Sequence, residues 1–335
     1  MKGERKMKKV LAFILALCLM LTPMALVGCG DEEETTVDNR DPLTKFYGKL
    51  NEKENFTMEL SMSVMGVSVS QTFKYSGDIM YTEESLMSKE SYTVETETGV
   101  EEYTKNVFGK WTKNNYASNA EEDANDIFAE EMDSLFKPDS YTINKNVYTQ
   151  KDDVDFENFK DVVLTLEDGK CIIDMTMMIE GMGLDITLTL SKVGQSALTL
   201  PTEYVNVDIN DSPKGAKEAL QGNGFTTERY TTGVYIDAIL EGWGAYGADA
   251  NSIVIGEKGN ESVILVYCSD DASAEIMYET FMTMLDDSYE EVVSQYGVGS
   301  STYNEFYELN KDTVIGRDGN VVCLTTTPDG LAKAK

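Results

Sequence analysis

The sequence predicts an α+β fold in two parts. Apolar and polar residues alternate with period two through residues 56–75 and again through 170–190, the mark of antiparallel strands with one buried face. Apolar residues at helical spacing recur separately, at 43–50, 124–136 and 277–289, so strands and helices come in runs. In the last third the order becomes strand, helix, hairpin, helix, hairpin.

Before the first helix stands a different kind of segment. Lys2, Arg5, Lys6, Lys8 and Lys9 oppose only Glu4, and VLAFILALCLML then runs apolar to Thr22 and Pro23. A basic start, a short apolar run and a small-residue ending make a secretory signal. The uncharged stretch from Val10 to Gly28 is long enough to reach across a bilayer, but Thr22, Pro23 and Gly28 interrupt it. Its ending, Leu26-Val27-Gly28-Cys29, resembles the lipobox of bacterial lipoproteins. That resemblance implies a signal peptide over residues 1–28, cleavage before Cys29 and a diacylglyceryl group on its thiol. The protein is then expected on the extracytoplasmic face of the cell membrane, held by its lipid. Each buried methylene contributes roughly 0.8 kcal/mol, so two chains hold durably. Residues 29–41, CGDEEETTVDNRD, have only Val37 as an apolar residue beyond the cysteine and read as an acidic flexible tether.

Charge narrows the partners. The chain has 28 basic and 59 acidic residues, a formal net charge of −31, and the signal segment takes five of the basic ones with it. Such a surface repels phosphate backbones and anionic head groups, which argues against nucleic acid as a partner. Solubility and recruitment of a cationic partner both account for the acidity. With Cys18 in the signal and Cys29 acylated, Cys171, Cys268 and Cys323 remain, an odd number for an exported chain. Cys268 and Cys323 end up in apolar runs, VILVYC and NVVCLTTT, and are either buried thiols or a pair.

Pro42 opens a helix with Leu43, Phe46, Tyr47 and Leu50 on one stripe. In FTMELSMSV the residues Phe56, Met58, Leu60, Met62 and Val64 alternate with polar ones, and after Met65-Gly66 the period continues through Val67, Val69, Phe73 and Tyr75. This predicts a hairpin with one greasy face. Strands are expected in DIMYTEE, SYTVETET and EEYTKNVFGKWTK, then a helix carrying Ala124, Ile127, Phe128, Met132, Leu135 and Phe136 that Pro138 ends. Strands resume from YTINKN to LTLTL, with turns at Asp168-Gly169 and Gly181 to Gly183. Cys171, Ile173, Met175 and Met177 then share one need for cover with Leu184, Ile186, Leu188 and Leu190.

That succession resembles the half-barrel of bacterial lipoprotein-carrier and lipid-binding lipoprotein families, the LolA, LppX and RseB group. The resemblance spans residues 42–210 and rests on architecture and the lipobox, with no signature residues. It implies a curved antiparallel sheet around an apolar cavity, a helix as lid, and acyl chains as cargo. On that expectation the ligand is lined by Met58, Met62, Phe73, Ile127, Phe128, Met132, Met175, Met177, Ile186 and Leu188. Ten of the thirteen methionines after residue 28 lie in this part; methionine adapts to varied apolar ligands and equally fills cores.

Ser212-Pro213 reads as an N-cap and first helical position, placing a domain boundary between residues 211 and 212. From there to residue 335 a short helix precedes the order βαββαβ, which is ferredoxin-like, with a closing hairpin on Asp318-Gly319.

Little in the chain carries chemistry. It has no histidine, which removes His-based triads and most zinc and iron sites. No G-x-S-x-G or phosphate-binding glycine loop occurs. Ser134-Leu135-Phe136-Lys137 matches S-x-x-K without its companion motifs, and Pro138 disfavours helix there. The acids at Asp152, Asp153, Asp155 and Glu157 and the group Asn206, Asp208, Asn210 and Asp211 read as loops or as calcium ligands without EF-hand spacing. Trp111 reads as a strand-packing residue or a ligand platform, and Trp243, between two glycines, as a partner contact. No enzyme, metal or cofactor is expected. Two function classes survive: a membrane-anchored protein binding a lipid or other apolar ligand in its half-barrel, and an envelope interaction protein whose C-terminal domain contacts a protein or cell-wall partner.

Overall fold

A computed structural model describes residues 40–335 except 54, 65–66, 85–88, 97–98, 117–133, 157–158 and 180–181. Cys29, Ile127, Phe128 and Met132 lie outside the described residues. The fold is α+β, and the chain forms two compact units, both discontinuous in sequence: residues 1–88 with 120–199, and 89–119 with 200–335. The division expected at 211/212 is therefore corrected. The strands from 89 to 116, expected to continue the first sheet, belong to the second unit, because their long-range pairing partners lie beyond residue 200.

In the first unit, helix α1 (Pro42–Lys53) starts on proline, and the Asp41 carboxylate accepts the Leu43 amide at 2.8 Å. Eight antiparallel strands follow: β1 (Asn55–Val64), β2 (Val67–Ser76), β3 (Ile79–Glu84), β7 (Tyr141–Asn144), β8 (Val147–Gln150), β9 (Phe159–Glu167), β10 (Lys170–Ile179) and β11 (Met182–Ser191). They pair in the order β3-β2-β1-β11-β10-β9-β8-β7. Leu43 and Leu50 of α1 sit on the sheet's apolar face, and Tyr47 stacks on Phe136 at 4.5 Å. Of the helix expected over 122–138, the described part is its end: Ser134 and Leu135 are helical and Pro138 starts a short 3-10 turn.

The second unit begins with β4 (Lys89–Thr96), β5 (Gly99–Lys105) and β6 (Trp111–Tyr116), an antiparallel meander. After β12 (Val205–Asn206) come helix α2 (Pro213–Gly222), β13 (Thr226–Tyr230), α3 (Gly233–Trp243), β14 (Ala250–Lys258), β15 (Glu261–Cys268), α4 (Asp271–Tyr296), α5 (Ser301–Asn310), β16 (Val314–Asp318), β17 (Val321–Thr325) and α6 (Pro328–Lys333). The late strands pair antiparallel in the order β13-β14-β15-β17-β16. A ferredoxin-like unit keeps its first two strands parallel on either side of a third; here β13 and β14 are direct antiparallel neighbours, so that expectation is corrected.

This late sheet is buried on both faces, which explains the unbroken apolar runs VILVYC and VVCLT. Val266, Cys268 and Val322 face Met277 and Phe281 of α4, while Val263, Leu265 and Cys323 face Leu220 of α2 and Leu331 of α6. Within the second unit the β4–β6 meander joins the late strands at β6, whose edge is shared in parallel by β12, at Thr112 and Lys113, and by β16, at Asn115.

Candidate functional site

The residues expected to line a ligand converge. Cross-strand register builds rows across the first sheet: Phe73, Met58, Leu190 and Cys171 in one, Met62, Ile186 and Met175 in another, and Leu188 with Leu60 and Ile173 between them. All seven described residues of the expected lining, Met58, Met62, Phe73, Met175, Met177, Ile186 and Leu188, belong to one apolar cluster. They are sealed, with Phe73 at 0% exposure, Met58, Met62, Ile186 and Leu188 at 2%, Met177 at 6% and Met175 at 7%. Exposure rises toward the β10–β11 turn, from 0% at Cys171 and Ile173 to 8% at Leu184. Beside Met175 the β9–β10 register slips, and Asp161 on β9 takes a left-handed φ of 55°, a bulge that bends this end of the sheet.

A polar cluster that the sequence did not announce sits where β6 meets β16. Arg317 is 4% exposed, ion-paired with Asp271 at the start of α4 and placed over the Tyr116 ring at 4.6 Å. The fully buried Asn114 side chain accepts the Arg317 amide at 3.0 Å and donates to the Tyr278 hydroxyl at 3.2 Å and to Glu102 at 3.4 Å. Burial pushes Glu102 up to about 7, helped by Glu279 and Glu275 and opposed by Asn114 and Arg317. Each of these hydrogen bonds and the ion pair ends on another member of the cluster. That is how a junction is held together: Asn114 supplies what the ladder lacks where β12 ends and β16 begins.

The remaining candidates resolve into packing and loops. Lys137 is exposed and its amide bonds the Ser134 carbonyl at 3.4 Å, as at a helix end. Asp152, Asp153 and Asp155 are exposed, Asp208 pairs with Lys335, Asn210 caps Ser212, and no group of three metal-binding side chains forms among the described residues. Trp111 packs at 5.5 Å on Tyr92 with Lys105 over its ring, and the half-buried Trp243 meets Phe281 edge-on at 5.4 Å, against the core of the second unit.

Among the exposed apolar side chains of the described residues, one set continues a buried stripe. The inner stripe of α4 runs Tyr278, Phe281, Leu285, then Tyr289, Val292, Val293 and Tyr296, and it passes from buried to half-buried to 53% exposed at Tyr296. Gly297 and Gly299, at φ 76° and 86°, turn the chain into α5, whose Tyr303 meets Tyr289 at 6.2 Å. Phe108 from the β5–β6 turn packs into this ridge, 5.7 Å from both Tyr289 and Tyr307. Val298 and Leu309 remain 68% and 57% exposed.

No family model and no curated protein matches the chain.

Proposed function

We propose that the chain is a lipid-anchored extracytoplasmic protein, tethered through Cys29, that works without catalysis by contacting another envelope component through its second unit. The observation that carries this reading is the contrast between the two apolar surfaces. The lining expected for a ligand is closed, at most 7% exposed in every described residue. The α4–α5 ridge stays open. In this reading the first unit is a half-barrel scaffold filled by its own side chains. The test is a photocrosslinking residue at Tyr296, with Ile143 of the first unit as control, in membranes of cells fed a fatty-acid label. Crosslinks confined to Tyr296 and label lost in Cys29→Ala are expected. Crosslinking equal at both positions, or equal label on the variant, counts against it.

A second reading keeps a lipid or other apolar ligand in the half-barrel. It is favoured by the loosening toward Met175, Met177 and Leu184 and by the bulge beside them, and it predicts acyl chains that co-purify with the whole chain in native mass spectrometry.

A further inference from the structure

Resting on the reading of the second unit as the contacting part, we infer that the α4–α5 ridge docks a basic amphipathic segment of a protein partner, lysines or arginines against its acids and apolar side chains against Tyr289, Val293 and Tyr296.

Two independent observations meet there. The first is the apolar stripe that outruns its cover. Its lower half is core, packed on β15 and β17; its last two turns lie beyond them, and α5 and Phe108 cover only part. Exposed aromatics beside apolar side chains are the usual anchors of interfaces, and an amphipathic helix in a groove reads such a stripe.

The second is charge. Residues 271–312 carry ten acids and one lysine, Lys311. Four acids are neutralised inside the unit: Asp271 by Arg317, Glu279 by Lys89, Glu308 by Lys311 and Asp312 by Lys110. Asp286, Asp287, Glu290 and Glu305 meet no basic side chain within salt-bridge distance among the described residues. Asp286 and Asp287 directly follow Leu285, the last core residue of the stripe, and Glu290 lies on the turns past its cover. The local field is felt within the protein, since burial and the neighbouring Glu279, Glu290 and Asp287 push Asp286 up to about 6 against the pull of Lys89. A cationic partner relieves that repulsion. A second copy of this face brings acid against acid and is disfavoured, and tyrosine faces add cation–π contacts for lysine or arginine.

The test uses the whole chain from residue 29 onward, made without its lipid, and a fluorescent lysine-and-leucine amphipathic peptide read by anisotropy. Controls replace every lysine by glutamate or every leucine by serine. Saturable binding of the first peptide is expected, weaker as salt rises, about tenfold weaker without the leucines, and absent with glutamates. Val293→Ser with Tyr296→Ser, at one half-buried and one exposed position, should cost about tenfold while the thermal transition stays that of the parent, and Asp286→Asn with Glu290→Gln should flatten the salt dependence. Equal binding of the serine control, or ridge variants that bind as the parent does, means net charge alone and overturns the proposal. No peptide binding while Tyr296 still crosslinks in membranes overturns the cationic partner and leaves the interaction reading standing. Failure of both overturns both.

Discussion

Cys268 and Cys323 lie on adjacent antiparallel strands and on opposite faces of one sheet. Cys323 pairs with Leu265, three residues from Cys268, so the two side chains point into different cores. The pair left open by the sequence cannot form without turning a strand over. Burial pushes Cys171, Cys268 and Cys323 each up to about 12. Thiol titration of the folded chain near neutral pH is therefore expected to label none of the three within minutes, and all three in denaturant without reductant. A mass gain on reduction, or fast native labelling, sinks this assignment.

Met62 and Met177 are expected to behave as core. Met62→Ala and Met177→Ala should each lower stability by about 2–5 kcal/mol, measured by denaturant unfolding, while Met→Leu at either position costs under about 1.5 kcal/mol. A cavity wall would answer differently: stability nearly unchanged and uptake of an acyl probe lost.

The Glu102 junction makes stability fall toward alkaline pH. Its folded-state value of about 7 lies above its ordinary 4.5, so the folded chain keeps a proton that the unfolded chain has released. The contribution is full below pH 4.5 and is lost as pH rises through about 7. Glu102→Gln should flatten the stability profile across that window by up to about 3 kcal/mol. Parallel profiles for the two proteins would remove Glu102 from the explanation.

The discontinuous second unit predicts which fragments fold. Residues 212–335 alone lack β6, leaving the Arg317 amide without Asn114, and are expected to show no cooperative melt, whereas adding 89–119 and 200–211 restores one. Gly316→Ala gives a sharper probe: a Cβ there would collide with Val207 and lie 3.1 Å from Asn114 Oδ1. A loss of about 1–3 kcal/mol, with amide exchange quickened in β6 and β16 and unchanged in β1 and β11, is the expected result. Uniform quickening would mean that β6 is not tied to β16 in this way.

How much of this was readable varies with distance along the chain. The alternation in 56–75 and 170–190 marked strands and their inward residues, because one wet face imposes period two. Which sheet a strand joins was not readable: 89–116 alternates just as locally, but its allegiance depends on Val205 and Asp318. The runs VILVYC and VVCLT gave strands without giving their partners, and the ferredoxin-like order failed there. Helix α5 escaped notice because its apolar residues are only half-buried and leave a weak stripe. Arg317 carries no signal in the sequence beyond its place beside the Asp318-Gly319 turn, since nothing nearby shows that Asn114 waits for it. The converging methionines were found, and their closure was not, because alternation gives facing and not packing.

The interrupted second unit also sets the order in which the protein can be finished. Synthesis from the N-terminus completes every strand of the first sheet at Ser191, while Asn114 must wait for Arg317, 203 residues later. Contacts that distant make folding slow, although the chain entropy of so long a closure grows only logarithmically. During the interval β4, β5 and β6 hang from a completed neighbour with one edge of β6 unpaired, a template for another chain. Yield is then governed by how well that edge is shielded before the last strands arrive, and a substitution in β6 can spoil production while leaving the finished molecule as stable as before.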